Sequence, residues 1–202
     1  MLPWEHAAIA YLLYSGYSRW CRGALPAARP VLVVLIASQL PDLLDKPLAW
    51  QFGLVPSGRS VAHSAFIAVP LALAALELAR RRDGTPLGAG FAIGYLSHLA
   101  TDAVPLYPGR STSFASVLWP LVEYEPATQY EGFLEQTLEI LTAAATSLAE
   151  PSPSDLTGLA FVGLLLGVWL LDGAPGARPL LGLARRRIDA IRTAVSRRRS
   201  PN

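Results

Sequence analysis

The ionisable groups inside the apolar stretches of this chain are mostly of one chemical kind. They are Asp42, Asp45, His63, His98 and Asp102, with His6 near the start, and all are side chains that ligate metals. Burying an imidazole or a carboxylate in an apolar segment is costly, so a fold that keeps them must give them partners. The 202 residues are 52% hydrophobic and only 16% charged, with a mean hydropathy of +0.35. That is more apolar than an ordinary soluble domain. The sequence therefore predicts an all-α fold, an integral membrane helical bundle.

Five stretches are candidates to cross a bilayer: about Trp4 to Trp20, Pro30 to Leu44, Val61 to Ala79, Leu87 to Leu106 and Leu156 to Leu171. A span needs about 20 largely apolar residues, so the second stretch is expected to tilt or to extend through Trp50. The competing arrangement is a soluble bundle with apolar core helices, and the charge-free run from Leu156 to Leu171 argues against it. Arginines orient the spans, because basic residues gather on the cytoplasmic side. Arg19, Arg22 and Arg29 lie between the first and second stretches, Arg80 to Arg82 between the third and fourth, and Arg178 with Arg185 to Arg199 after the fifth. Alternating spans place all of these on one face, with the N-terminus out and the C-terminus in. The expected organisation is a membrane core over 1–106 carrying the site, an outer loop and surface helix over 107–155, a fifth span over 156–172 and a basic cytoplasmic tail over 173–202. Every candidate ligand then falls toward the outer side.

Three local patterns carry the chemistry. In Gly90-x-x-x-Gly94-x-x-x-His98-x-x-x-Asp102 the four-residue step returns each residue to nearly the same helix face. The glycines let a second helix approach closely, and the imidazole and carboxylate are presented to it. In Gln39-Leu40-Pro41-Asp42-Leu43-Leu44-Asp45 a proline interrupts the apolar run and two carboxylates follow three residues apart. Simple termination of a span, with Lys46 paired to Asp45, is the plainer account of these aspartates. In Gly58-Arg59-Ser60-Val61-Ala62-His63-Ser64, Ser60 is a plausible helix cap and His63 falls in the first turn. Arg59 beside a metal suits a phosphate, although anchoring at lipid headgroups is as common a use.

Together these motifs resemble the predicted membrane-bound metal-dependent hydrolases of bacteria and archaea. The likeness rests on Trp4-Glu5-His6, Pro41-Asp42-x-x-Asp45, Arg59-x-x-x-His63-Ser64, Gly94-Tyr95-x-Ser97-His98-x-x-x-Asp102 and Trp119-Pro120, and covers about the first 120 residues. That family is in turn similar to secreted zinc-dependent phospholipases C. The likeness implies that His6, Asp42, His63, His98 and Asp102 are metal ligands, but the second helical His-x-x-x-Glu of those phospholipases has no counterpart in a chain with three histidines. One or two ions are therefore expected, with Glu123, Glu125, Glu135 or Glu139 available to complete the shell.

Mixed imidazole and carboxylate donors suit a divalent ion of the zinc, manganese or iron type, zinc first, over magnesium or calcium. Asp45 is then the candidate general base and Arg59 the phosphate contact. The function expected is a membrane-embedded metal-dependent hydrolase of the cell membrane, acting on a lipid or lipid-linked phosphoester at the outer interface. The alternative is a non-catalytic membrane protein whose His/Asp cluster binds or passes an ion, or holds the bundle by hydrogen bonds. The basic tail is expected to lie on anionic lipid headgroups, and the lack of aromatic residues among its arginines argues against nucleic acid. Cys21 stands alone and forms no intrachain disulfide.

Overall fold

The computed structural model describes residues 2–104, 114–122 and 132–177. The described residues form seven α-helices: α1 (Pro3–Arg22), α2 (Ala28–Ala37), α3 (Leu40–Trp50), α4 (Ala65–Arg80), α5 (Thr85–Ala103), α6 (Phe133–Ala149) and α7 (Pro153–Leu171), with one 3-10 turn at Ser116–Leu118. α1 opens on Pro3, with the Glu5 carboxylate accepting the Leu2 amide at 2.7 Å. It closes at Gly23, whose φ of 61° is the left-handed conformation of a helix end.

The apolar run after Ala28 does not make one long helix. Pro41 has no amide hydrogen to give the carbonyl four residues back and its ring crowds that turn, so α2 stops at Ala37. The chain turns through Ser38 and Gln39 before α3 begins. The next start also differs from the sequence expectation. Ser64, and not Ser60, caps α4: its hydroxyl accepts the Phe66 amide at 3.2 Å and donates to the Trp119 carbonyl at 2.6 Å. His63 therefore sits in the loop ahead of the helix. The amides of Ser60, Ala62 and His63 are taken by the Asp45 carboxylate, which withdraws them from helical pairing.

α5 is central and packs against α1, α2 and α4. Its small-residue stripe makes this possible. A Cβ added at Gly88 would lie 2.7 Å from the Ala79 Cβ of α4, and one at Gly94 would lie 2.5 Å from the Val34 carbonyl oxygen of α2. Around these contacts the core is Ala10, Tyr11, Tyr14, Val31 and Val34 on one side and Ala37, Ala68, Tyr95 and Leu99 on the other. α7 is tied to α1 by Asp172, which accepts from the Tyr11 hydroxyl at 2.7 Å, the Ser15 hydroxyl at 2.7 Å and the Arg19 Nε at 2.9 Å.

Among the described residues the all-α expectation holds, but the five membrane spans do not. Among the described residues no helix is long and apolar enough to cross a membrane. The Pro41 break leaves α2 and α3 at 10 and 11 residues, and α4 has 16. α1 carries Glu5, His6, Arg19 and Arg22, and α5 carries His98 and Asp102. The first turn of α7 includes Pro153 and Asp155, so its apolar part covers roughly 24 Å at 1.5 Å per residue against a hydrocarbon core of about 30 Å. The orientation with N-terminus out and C-terminus in rested on those spans and falls with them. The outer surface is nevertheless apolar: Leu32, Ile36, Phe66, Leu73, Leu164 and Leu170 are exposed while the site's imidazoles and carboxylates are buried. Glu123, Glu125 and the basic stretch from Arg185 to Arg199 lie outside the described residues.

Two stability outcomes follow from this packing. Gly94→Ala should destabilise by about 1–3 kcal/mol through overpacking, whereas Gly163→Ala, with nothing within 4 Å of the new methyl, should gain up to ~1 kcal/mol of helix propensity. Thermal unfolding followed by circular dichroism separates the two. Burial by itself pushes the Asp172 carboxyl up, but hydrogen bonds from Tyr11, Ser15 and Arg19 outweigh it and hold the group below the usual range. A depressed carboxylate stabilises fully above its unfolded value near ~3.9 and loses that contribution as pH falls toward the folded value. Asp172→Asn should thus be less stable than wild type at neutral pH, with the difference shrinking once denaturation is measured below about pH 4.

Candidate metal centre

The fold brings every proposed ligand to one place. His6 comes from the first turn of α1, Asp42 and Asp45 from α3, His63 from the loop before α4, and His98 and Asp102 from successive turns of α5. Asp42 is 9% exposed and the others no more than 3%.

Hydrogen bonds fix how each imidazole is turned. The His98 Nδ1 lies 2.7 Å from the Ser38 carbonyl oxygen, which can only accept, so Nδ1 carries the proton. The Thr101 hydroxyl donates to the His98 carbonyl at 2.9 Å, so its oxygen accepts from the His6 Nδ1 at 2.8 Å. The His63 Nδ1 donates to the Asp45 carboxylate at 2.8 Å. All three rings therefore hold Nδ1–H outward and present Nε2 inward. This is the arrangement in which metal-ligating histidines are held, the outer nitrogen fixed by a carbonyl, hydroxyl or carboxylate.

The inward atoms of Asp42, His63 and His98 are spaced for a single ion. The His63 Nε2 lies 3.2 Å from the His98 Nε2, 3.6 Å from Asp42 Oδ1 and 3.6 Å from Asp102 Oδ2. The His98 Nε2 lies 3.7 Å from Asp42 Oδ1 and 3.9 Å from Asp102 Oδ2. A tetrahedral shell with metal–ligand bonds of about 2.1 Å has edges of about 3.4 Å, so the Asp42, His63 and His98 atoms need to close only slightly. His6 stands beside them, stacked on His98 with ring centroids 3.9 Å apart and its Nε2 3.5 Å from Asp102 Oδ1. Two overlapping ligand groups can be drawn, His6–His98–Asp102 and Asp42–His63–His98. Both use His98, whose Nδ1 is already engaged by Ser38, so one imidazole nitrogen must serve whichever ion is bound.

Electrostatics favour a cation at the centre. Desolvation, with His98 alongside, pushes His6 down to about 2, and desolvation likewise lowers His98 to about 4. His63 is equally desolvated, but hydrogen bonds to Asp102, Asp42 and Asp45 override that and push it up to about 10. Asp42 and Asp102 are held well below the carboxylate range against desolvation, chiefly by hydrogen bonding to His63, with Lys46 assisting Asp42 and Arg59 assisting Asp102. Three carboxylates are thus balanced by Lys46, Arg59 and one proton on His63. A divalent ion in place of that proton would leave one net positive charge, which suits an anionic ligand.

Asp45 has a different place from the one its sequence position suggested. Its oxygens accept the amides of Ser60 at 2.8 Å, Ala62 at 3.0 Å and His63 at 3.2 Å, besides the His63 ring. It folds the loop and orients a ligand. Lys46 pairs with Asp42, not Asp45, at 2.5 Å, and Arg59 Nε lies 3.1 Å from Asp102 Oδ2. Glu135 and Glu139 are exposed on α6 and belong to neither ligand group. Ser38, Lys46 and Thr101 were not singled out as site residues. Lys46 and Thr101 each adjoin a ligand motif in sequence, but the Ser38 carbonyl carries no side-chain signal and only the α2–α5 approach assigns its role.

A family model described as "YdjM inner membrane protein" matches residues 1–174. The chain belongs to the YdjM inner membrane protein family. No curated protein matches the chain, and no solved structure does. The family places the chain at the inner membrane by name, which accords with the apolar exterior and supports a lipid environment. It supports the membrane part of the sequence resemblance and carries nothing about hydrolase chemistry or likeness to phospholipase C.

Because His63 must give up its Nε2 proton to bind an ion, metal uptake should release about one proton per site at neutral pH. Affinity should rise up to about tenfold per pH unit below the raised His63 value, a dependence calorimetry in buffers of different ionisation enthalpy would measure. Asp45→Asn should weaken binding about 10–100-fold, because it loosens the loop that holds His63.

Proposed function

We propose that this chain is a metal-dependent hydrolase of the membrane surface, acting on a lipid or lipid-linked phosphoester. The observation that carries this is the convergence of three imidazole Nε2 atoms and two carboxylates, each ring locked from behind through Nδ1. Asp42, His63 and His98 would hold one divalent ion, zinc first with manganese or iron as alternatives, and His6 and Asp102, which form the second group around the shared His98, flank it. When bound, such an ion supplies Lewis acidity that polarises a phosphoryl oxygen and lowers the pKa of water.

The chain's own side chains supply the remainder. Arg59 and Lys46 are the accessible edge of an otherwise closed cluster, with side chains 25% and 21% exposed. Each is suited to hold an anionic oxygen beside the carboxylate it now pairs. Asp45 acts as a positioning residue for His63 rather than as the proton acceptor, since its oxygens are engaged by backbone amides. The closure of the ligand set is the one observation favouring the second reading, a non-catalytic ion site, because structural metal sites keep no open position.

Purified protein should carry one transition-metal ion per chain by inductively coupled plasma mass spectrometry, lost in His98→Ala and Asp102→Ala. The loaded wild type should hydrolyse bis(p-nitrophenyl) phosphate, and Arg59→Ala should keep its ion while losing about 10–100-fold in kcat/KM. Folded, fully loaded protein that turns over no phosphoester would leave the non-catalytic reading in possession of the site.

A further inference from the structure

Two cavities of about 330 and 310 Å³ lie under α6, sharing Trp4 and Ala144 as a common wall. The first begins at Asp42 and Lys46, the accessible edge of the metal cluster, and runs between Leu43, Trp50, Phe133 and Leu141. The second continues past Ala144 toward Leu148, Leu159 and Val162. Beyond Lys46 the walls are mainly apolar, with Gln39 and Thr137 in the first cavity and Glu5, Ser147 and Asp155 in the second.

α6 itself is built for such a role. The residues it turns toward the cavities, Phe133, Thr137, Ile140, Leu141, Ala144 and Leu148, recur at helical spacing on one face. Of these only Ala144 is buried by the rest of the protein. The helix touches α3 through the Phe133 and Trp50 rings, with centroids 6.1 Å apart. An apolar helix face laid over a trough, instead of into a packed neighbour, leaves a site lined by side chains that interior packing does not fill.

The trough is amphipathic along its length: a lysine beside a carboxylate ligand at one end, aromatic and aliphatic walls beyond. A divalent ion in the cluster would leave its mouth positive, with Lys46 beside it. We propose that the trough under α6 is the acyl-chain site for an anionic diacyl phospholipid. Its phosphate is received at Lys46, one chain lies along Trp50 and Leu141, and the other passes Ala144 toward Leu159. This rests on the phosphoesterase reading and gives that reading its substrate class.

The test uses the full chain, metal-loaded in detergent, with Ala144→Phe to fill the shared wall and Leu141→Phe as the second variant should the first misfold. Binding is read from quenching of tryptophan fluorescence by phosphatidylglycerol with brominated chains, since Trp4 and Trp50 both line the trough. Turnover is read separately on long-chain phosphatidylglycerol and on bis(p-nitrophenyl) phosphate. Wild type should quench saturably. The filled variant should need at least ten times more lipid and lose at least tenfold in kcat/KM on the long-chain substrate, while soluble-ester turnover and metal content stay unchanged. Lys46→Gln should erase the preference for phosphatidylglycerol over phosphatidylcholine. Quenching that does not saturate, or that is the same in the filled variant, would overturn the proposal, as would a dimer that dissociates on filling, which would put a second copy in the trough. Saturable, Ala144-sensitive quenching without turnover of any phosphoester would retain the lipid site and remove the hydrolase reading. Soluble-ester turnover without such quenching would do the reverse.

Discussion

The approach of α5 to α2 is the contact on which the rest of the molecule depends. At Gly94 the two backbones come within a distance that a Cβ would not permit, 2.5 Å from the Val34 carbonyl, and at Gly90 a Cβ would be tight, 3.0 Å from that of Pro30. One turn farther along the same stripe, that closeness delivers the Ser38 carbonyl to the His98 Nδ1. The Ser38 carbonyl, in the turn between α2 and α3, thereby becomes the anchor of a buried imidazole. Packing and chemistry are the same contact here.

Asp45 is the counterpart on the other side of the cluster. A fully buried carboxylate is tolerated because it accepts three amides and a ring N–H. Those amides belong to the loop that carries His63, so the group satisfying a buried charge also sets where α4 begins. The cluster then holds a near-neutral balance of carboxylates and cations in which His63 is the adjustable member. Desolvation keeps His6 and His98 neutral, and three carboxylates keep His63 charged. Such a set is prepared to exchange a proton for an ion without rearranging its side chains.

Read from the residues, much of the site was visible. The four-residue step from Gly90 to Asp102 fixed one helix face, and the structure puts that face against α2 and the cluster. The identities of His6, Asp42, His63, His98 and Asp102 pointed to a shared site, and they do meet. The spans were misjudged because hydropathy averages over a window. Pro41 cuts the second stretch in two, and the apolar parts of α4 and α7 fall short of a bilayer's thickness. Sequence made Asp42 a ligand and Asp45 the candidate general base, and only the folded loop shows Asp45 accepting three amides and orienting His63.

The sequence by itself determined the helical class, the stripe that joins close packing to an imidazole and a carboxylate, and the kinds of atoms available to a cation. Those are properties of side-chain type and local period, which a chain carries before it folds. Tertiary structure alone decided which carboxylate faces the cluster and which holds a loop, that Lys46 pairs with Asp42, and that each imidazole turns its Nε2 inward. Each of these depends on a partner remote in the chain: the Ser38 carbonyl for His98, Thr101 for His6, and Asp45 for His63. A backbone carbonyl has no identity in a sequence, and its reach is set only when two helices touch.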